Sequence, residues 1–95
     1  MKYFDWNEKK NEFLKMERDI SFEIIVSQIE LGNVLDVIEH PNFEKYRNQN
    51  IYVIEYENYV YLVPFVEDEE KVFLKTIIPS RKATKKYLDG DQNET

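Results

Sequence analysis

Cysteine is absent from this chain of 95 residues, and glycine, proline and histidine are scarce, with two, three and one residues respectively. Without thiols the chain has neither a disulfide framework nor a thiolate metal site. The shortage of glycine and proline argues against long flexible linkers, and no apolar run approaches the roughly 20 residues that span a membrane. The first six residues contain Lys2 and Asp5 but no apolar h-region of a signal peptide. We therefore expect a soluble, cytoplasmic protein.

Apolar and aromatic residues are present in the proportions of a folded protein. They make up 42% and 15% of the chain, which argues against disorder. A length of 95 residues suits one domain and leaves little room for a second core. The prediction is one domain over residues 1–88 and a flexible tail over residues 89–95.

Two helices are predicted in the first third of the chain. Asp5, followed three residues later by Glu8, is a variant of the capping box and predicts a helix over residues 6–18. Ser21 is a suitable N-cap for a second helix, which Gly32 ends. Between them, apolar residues recur with the spacing of one helical face: Phe22, Ile25, Val26 and Ile29.

Short strands are predicted for the remainder, at residues 34–38, 51–56, 59–66 and 71–78, after a first extended segment at 2–5. Glu57 and Asn58 suit a tight hairpin, and residues 43–50 form a polar loop. Pro79 ends the last strand, and Ser80 caps a short helix over residues 81–88. The prediction is an α+β fold, with two N-terminal helices packed on an antiparallel β-meander and a short C-terminal helix.

The predicted strand at residues 59–66 is apolar on both of its faces. A sheet with one solvated face alternates apolar and polar residues, so both faces of this strand are expected to be covered. Two helices suffice for one face only. Either the C-terminal helix covers the second face, or a partner chain does.

Basic residues are concentrated near the C-terminus of an acidic chain. The net charge of −6 argues against nonspecific binding of nucleic acid. Between Lys71 and Leu88, however, no acidic residue interrupts six bases: Lys71, Lys75, Arg81, Lys82, Lys85 and Lys86. An acidic run precedes this segment at residues 67–70. The segment is either an ordinary solvated surface or a binding site for a polyanion.

The sequence contains no metal-ligand cluster, Gly-rich phosphate loop or catalytic triad spacing, and we predict neither a metal nor a cofactor. Arg81 stands where a strand meets a helix, and its guanidinium can fork onto a phosphate. Such a group suits metal-free cleavage of RNA, in which negative charge develops on the phosphorane oxygens. His40 is the single histidine, placed at a strand end before Pro41, and is either a loop residue or a catalyst.

Three segments resemble BrnT-like toxins in order and spacing: Phe-Asp-Trp-Asn-Glu-Lys-Lys at 4–10, Ile-Ser-Phe-Glu at 20–23 and Ser-Arg-Lys-Ala-Thr at 80–84. That family belongs to bacterial type II toxin–antitoxin pairs. The resemblance implies a RelE/ParE-like fold and a metal-independent endoribonuclease that cuts mRNA, free or on the ribosome, and so stops translation. It also implies neutralisation by a ribbon-helix-helix antitoxin in a hetero-oligomer.

The resemblance carries the family's arginine after the last strand over to Arg81. The family's Lys-His-Gly before the second helix is replaced here by Glu17, Arg18 and Asp19, so that a carboxylate stands where a lysine would meet phosphate. Arg18 keeps a positive charge but is a poor general base.

The candidate catalytic residues are Arg81, Arg18 and His40, with Glu39 and Tyr46 as alternative bases. The candidate RNA-binding residues are Arg81, Lys82, Lys75 and Lys85. The alternative function is a non-catalytic interaction module of the same fold that pairs with an antitoxin-like DNA-binding protein.

Overall fold

The protein folds as a mixed β-sheet with helices on both faces. The structure is a computed structural model that describes residues 2–42, 44–45 and 48–89. The elements are β1 (Tyr3–Asp5), α1 (Glu8–Arg18), α2 (Phe22–Glu30), β2 (Val34–Glu39), β3 (Gln49–Tyr56), β4 (Tyr59–Glu67), β5 (Lys71–Leu74), β6 (Ile78–Pro79) and α3 (Arg81–Thr84). The chain continues from α3 as a π-helical turn, Lys85–Asp89. The predicted α+β fold is confirmed. Within the described residues, no helix is long and apolar enough to cross a membrane.

The sheet has the strand order β1-β5-β4-β3-β2, and β6 pairs with β4 beyond the end of β5. Strands β2 to β5 form the predicted antiparallel meander. Strand β1 adds to the far edge in parallel, with Phe4 opposite Val72. The chain therefore leaves the sheet after β1, forms both N-terminal helices and returns at the opposite edge as β2.

Helix α1 begins two residues later than predicted. Its N-cap is Asn7, whose side-chain oxygen accepts a hydrogen bond from the Lys10 amide at 3.0 Å. Asp5 is not the cap, because it remains in β1, where its carboxylate accepts from the Trp6 amide and pairs with Lys71. The capping-box prediction for Asp5 and Glu8 was wrong, because a closer amide side chain satisfies the helix N-terminus.

The predicted ends of α2 are confirmed. Ser21 accepts a hydrogen bond from the Ile24 amide, as an N-cap should. At the other end Gly32 has a φ of 87°. A Cβ at Gly32 would meet no atom within 4 Å, so the backbone conformation, and not lack of space, favours glycine there.

The predicted hairpin between β3 and β4 is confirmed. Glu57 and Asn58 have φ angles of 53° and 66°, the pair of left-handed conformations that a two-residue type I′ turn requires. Tyr56 and Tyr59 close the turn as the first pair of the β3–β4 register.

The predicted continuous strand over residues 71–78 is interrupted, and Pro79 belongs to β6 where we had expected it to end the strand. On β4, Phe65 pairs with Leu74 and Leu62 pairs with Ile78. The two β4 residues are three positions apart, whereas their partners are four positions apart. One extra residue is therefore accommodated between β5 and β6, as in a β-bulge. It turns Ile77 into the core, where its side chain is fully buried.

The two faces of the sheet are covered by different helices. On the α1/α2 face, the core contains Leu14, Ile20, Phe22, Ile25, Ile54, Val63, Phe65, Val72, Leu74 and Ile77. On the α3 face, Ala83 packs on Val53 and Val60, with Leu62, Tyr87 and Leu88 around them. Of the two alternatives for the second apolar face of β4, the C-terminal helix is therefore the one observed.

Asn11 is the fully buried polar residue that joins the two N-terminal helices. Its Oδ1 accepts a hydrogen bond from the Phe22 amide, and its Nδ2 donates to Glu23 Oε1, both at 2.8 Å. The side chain of α1 thus satisfies an amide in the first turn of α2, one that has no partner within its own helix. This contact fixes the angle at which α2 leaves α1.

Candidate functional site

The turn from β6 into α3 is fixed to the start of β4 by two hydrogen bonds and is closed internally by two more. The Ser80 amide donates to the Val60 carbonyl at 3.0 Å, and the Val60 amide donates to Thr84 Oγ1 at 2.9 Å. The Thr84 hydroxyl in turn donates to the Ser80 carbonyl, and Ser80 Oγ accepts from the Ala83 amide, as predicted for the cap. The side chains at the start of α3 therefore project from a rigid support.

We define the basic corner as five cationic side chains, one between β5 and β6 and four in α3 and the turn that follows it: Lys75, Arg81, Lys82, Lys85 and Lys86. All five residues are exposed. None of the five forms an ion pair with another described residue, in contrast to Lys2, Lys15 and Lys71. The basic corner thus keeps its full positive charge toward solvent, which raises the local concentration of anions.

Three tyrosines lie at the hairpin end of β3 and β4, namely Tyr56, Tyr59 and Tyr61. The ring centroids of Tyr59 and Tyr61 are 5.7 Å apart, and those of Tyr56 and Tyr61 are 6.4 Å apart. All three are partly exposed. Tyr61 pairs with Pro79, two residues before Arg81, but Tyr56 and Tyr61 pack against the core on the α1/α2 face, whereas α3 covers the opposite face of the sheet.

The hydroxyls of Tyr56 and Tyr61 are protonated at physiological pH. Burial raises the pKa of Tyr61 above its ordinary value of 10.0, and the nearby Glu57 carboxylate adds to this effect. The pKa of Tyr56 is raised for the same two reasons. These hydroxyls are therefore hydrogen-bond donors and not bases. This cluster was not predicted from the sequence, although the closely spaced tyrosines of the hairpin were a signal for it.

Arg18 lies at the end of α1, and its Nη1 donates a hydrogen bond to the Ile77 carbonyl at 2.8 Å. Ile77 is the residue that the interruption between β5 and β6 turns into the core. The guanidinium therefore satisfies a carbonyl where the strand pairing is broken. Arg18 acts on the site by positioning β6 and the start of α3.

We expect Arg18→Ala to lower the free energy of unfolding by about 1–2 kcal/mol, because a charged donor to a partly buried carbonyl is lost. Urea denaturation checks the value, and amide chemical shifts of Ser80 and Thr84 report movement of the turn. Lys15→Ala on the same helix removes only an exposed pair with Glu12 and should change stability by less than about 0.5 kcal/mol. Equal losses in both variants would refute the positioning role.

His40 lies at the opposite end of the sheet from Arg81. Its amide donates to the Gln49 carbonyl, and Gln49 pairs with Val66, whereas Arg81 follows the residue bonded to Val60. Six strand residues separate these points on β4, which is about 20 Å. His40 Nδ1 accepts from the Asn42 amide at 3.1 Å. The structure thus does not bring His40 and Arg81 together.

Some of the remaining candidate residues lie near Arg81, and others lie at the His40 end of the sheet. Lys82 and Lys85 are on the C-terminal helix with Arg81, and Lys75 lies on the same edge, where its amide donates to the Pro64 carbonyl. Glu39 is opposite Asn50, at the His40 end of the sheet. Tyr46 lies outside the described residues.

Comparisons of this chain with protein-family models, with curated proteins and with solved structures give no match. The resemblance to BrnT-like toxins consists of the three sequence segments at 4–10, 20–23 and 80–84.

Proposed function

We propose that this chain is the toxin of a type II toxin–antitoxin pair, which binds mRNA at the basic corner and cuts it without a metal ion. The observation that carries the proposal is the cluster of five exposed cations that have no carboxylate partner among the described residues, in a chain of net charge −6. Resemblance to BrnT-like toxins supplies the reaction class. An antitoxin of ribbon-helix-helix type would neutralise the chain in a hetero-oligomer.

The separation of charge along β4 supports binding of a polyanion despite the acidic total. The part of the basic corner on α3 adjoins Val60, whereas the acidic turn after Glu67 lies seven strand residues away, about 23 Å, with Lys75 at Pro64 between them. The Debye length at physiological ionic strength is about 8 Å, so this acidic turn is largely screened from a phosphate at the corner.

The tyrosines at the hairpin end of β3 and β4 suit single-stranded RNA in particular. Unpaired bases stack on aromatic rings, whereas bases in a duplex are not free to do so. An RNA chain that stacks a base on Tyr59 or Tyr61 would have to pass around β6 before another of its phosphates reached Arg81, because α3 lies on the other face of the sheet. At Arg81 the guanidinium would stabilise the charge that develops on the phosphorane.

The second candidate function is a non-catalytic module of the same fold that pairs with an antitoxin-like DNA-binding protein. Two observations favour it. Arg18 donates to the Ile77 carbonyl, and His40 lies about 20 Å from Arg81 along the sheet, so neither supplies a base at the basic corner.

Expression of the chain alone in bacteria, with growth and protein synthesis followed after induction, tests the proposal against this alternative. The natural chain and Lys9→Ala, which changes an exposed lysine of α1, should arrest growth. Arg81→Ala should not, because loss of one transition-state donor lowers cleavage by about 100- to 1000-fold. Arrest by Arg81→Ala as well would keep the toxin and remove Arg81 from its mechanism. No arrest by any variant, with folded protein present, would favour the binding module.

A further inference from the structure

A pocket of about 180 Å³ lies on the α3 face, between the C-terminal helix and β2 to β4. Its floor is apolar and consists of Ile38, Val53 and Leu62, one residue from each of these three strands. Ile38 is 37% exposed, whereas Val53 is fully buried. The floor of the pocket is therefore buried at β3 and accessible to solvent at the edge strand β2.

Two lysine side chains, Lys82 and Lys86, line the helix side of this pocket. Neither forms an ion pair with any described residue, although the Lys86 ammonium lies 5.3 Å from the centroid of the Tyr87 ring. Asp36, which accepts a hydrogen bond from the Tyr87 hydroxyl at 2.9 Å, does not line the pocket, and neither does any other described carboxylate. The helix side of the pocket is therefore positive.

The wall that carries Lys86 and Tyr87 is π-helical. Single π-helical turns are rare and occur frequently at functional sites, because the wider turn directs side chains differently from an α-helix. Here the wider turn follows α3 directly and places Tyr87 over the sheet edge, where it reaches Asp36 of β2. The turn thus closes one end of the pocket.

The volume of the pocket decides the kind of ligand. Sites for drug-sized molecules measure about 300–1000 Å³, so a pocket of about 180 Å³ suits one side chain better than a whole nucleotide. We infer that this pocket binds one apolar side chain of an acidic peptide segment in a partner protein, whose carboxylates pair with Lys82 and Lys86. The chain's own residues 90–95 contain no apolar side chain, so they do not provide this anchor. The inference holds for either candidate function, since it does not depend on RNA cleavage.

Fluorescence anisotropy of the full chain with a labelled eight-residue peptide tests the inference. The peptide carries one central leucine flanked by aspartates, and a second peptide replaces the aspartates with lysines. We expect the acidic peptide to bind and the basic one to bind at least about tenfold more weakly. Failure of the acidic peptide to bind at concentrations up to about 1 mM would overturn the inference.

Substitutions in and near the pocket test whether the acidic peptide binds there. Ile38→Asp should weaken the acidic peptide at least about tenfold, whereas Val37→Asp, on the adjacent β2 residue that pairs with Tyr52 and points to the other face, should change it less than about twofold. Lys82→Glu with Lys86→Glu should also weaken it at least about tenfold, and Lys85→Glu on the same helix should not. The lysine variants leave the apolar floor intact, so they decide the outcome if Ile38→Asp does not fold.

Two further measurements separate this inference from the proposed function. A single-stranded RNA titrated in the same assay reports on the basic corner by itself. Binding of RNA without binding of the peptide would overturn the inference and leave the proposed function standing. Sedimentation of the chain alone that shows a dimer, lost in Ile38→Asp, would identify a second copy as the occupant and equally overturn it.

Discussion

Replacement of Asn11 with alanine is expected to lower the free energy of unfolding by about 3 kcal/mol, the largest loss of stability that we predict for a single substitution. The Phe22 amide loses its acceptor at a fully buried residue, which costs about 2 kcal/mol. The void left by the missing amide group adds about 1 kcal/mol. A domain of this size is stable by only about 5–15 kcal/mol, so the variant should melt about 12–24 °C lower.

Asn33→Ala is the matched control for this substitution. Asn33 is exposed, and its side chain bonds only to Gln28, so its loss should cost less than about 0.5 kcal/mol. Chemical denaturation of the two variants in parallel gives the comparison. A loss in Asn11→Ala that is no larger than in Asn33→Ala would show that the Phe22 amide finds another acceptor.

Asn11→Ala should also change how the stability of the protein depends on pH. The hydrogen bond from Asn11 is the main cause that lowers the pKa of Glu23 below its ordinary value of 4.5. A lowered pKa in the folded state means that this stabilisation is complete above pH 4.5 and is lost as the pH falls through the folded pKa. In Asn11→Ala the pKa of Glu23 should return toward 4.5, which an NMR titration of its carboxyl measures.

Reversal of two charges at the basic corner, Arg81→Glu with Lys85→Glu, should weaken binding of single-stranded RNA at least about tenfold at 0.15 M salt. Each phosphate contact contributes about 0.7 to the slope of log affinity against log salt concentration for single strands. Loss of two contacts should therefore reduce that slope by about 1.4. Filter binding or anisotropy at several salt concentrations measures both quantities.

Lys9→Glu with Lys10→Glu is the control for this experiment. These exposed or partly exposed lysines belong to the first turn of α1, and their reversal changes the net charge by the same amount. If net charge alone governed binding, the two double variants would lose affinity equally, and the basic corner would not be the RNA site. A large loss confined to the Arg81 and Lys85 variant is the expected result.

Local rules were sufficient for most elements of the fold. A hydroxyl at Ser21, a glycine at position 32 and the dipeptide Glu57-Asn58 each act within three or four residues, and the structure confirms all three. The interruption between β5 and β6 was not predictable in this way. It depends on the register against β4, and no residue in that segment alone indicates which apolar side chain turns inward.

The features of the candidate site likewise divide into those that follow from residue order and those that only the tertiary structure shows. The sequence by itself determined that cations cluster near the C-terminus and that Arg81 stands between a strand and a helix, since both follow from residue order. Only the tertiary structure decided that Arg18 bonds to the carbonyl of Ile77, 59 residues away, and that His40 lies at the far end of the sheet. Such contacts arise because strands distant in sequence pair and pack to bury apolar surface, which brings together residues that local patterns do not relate.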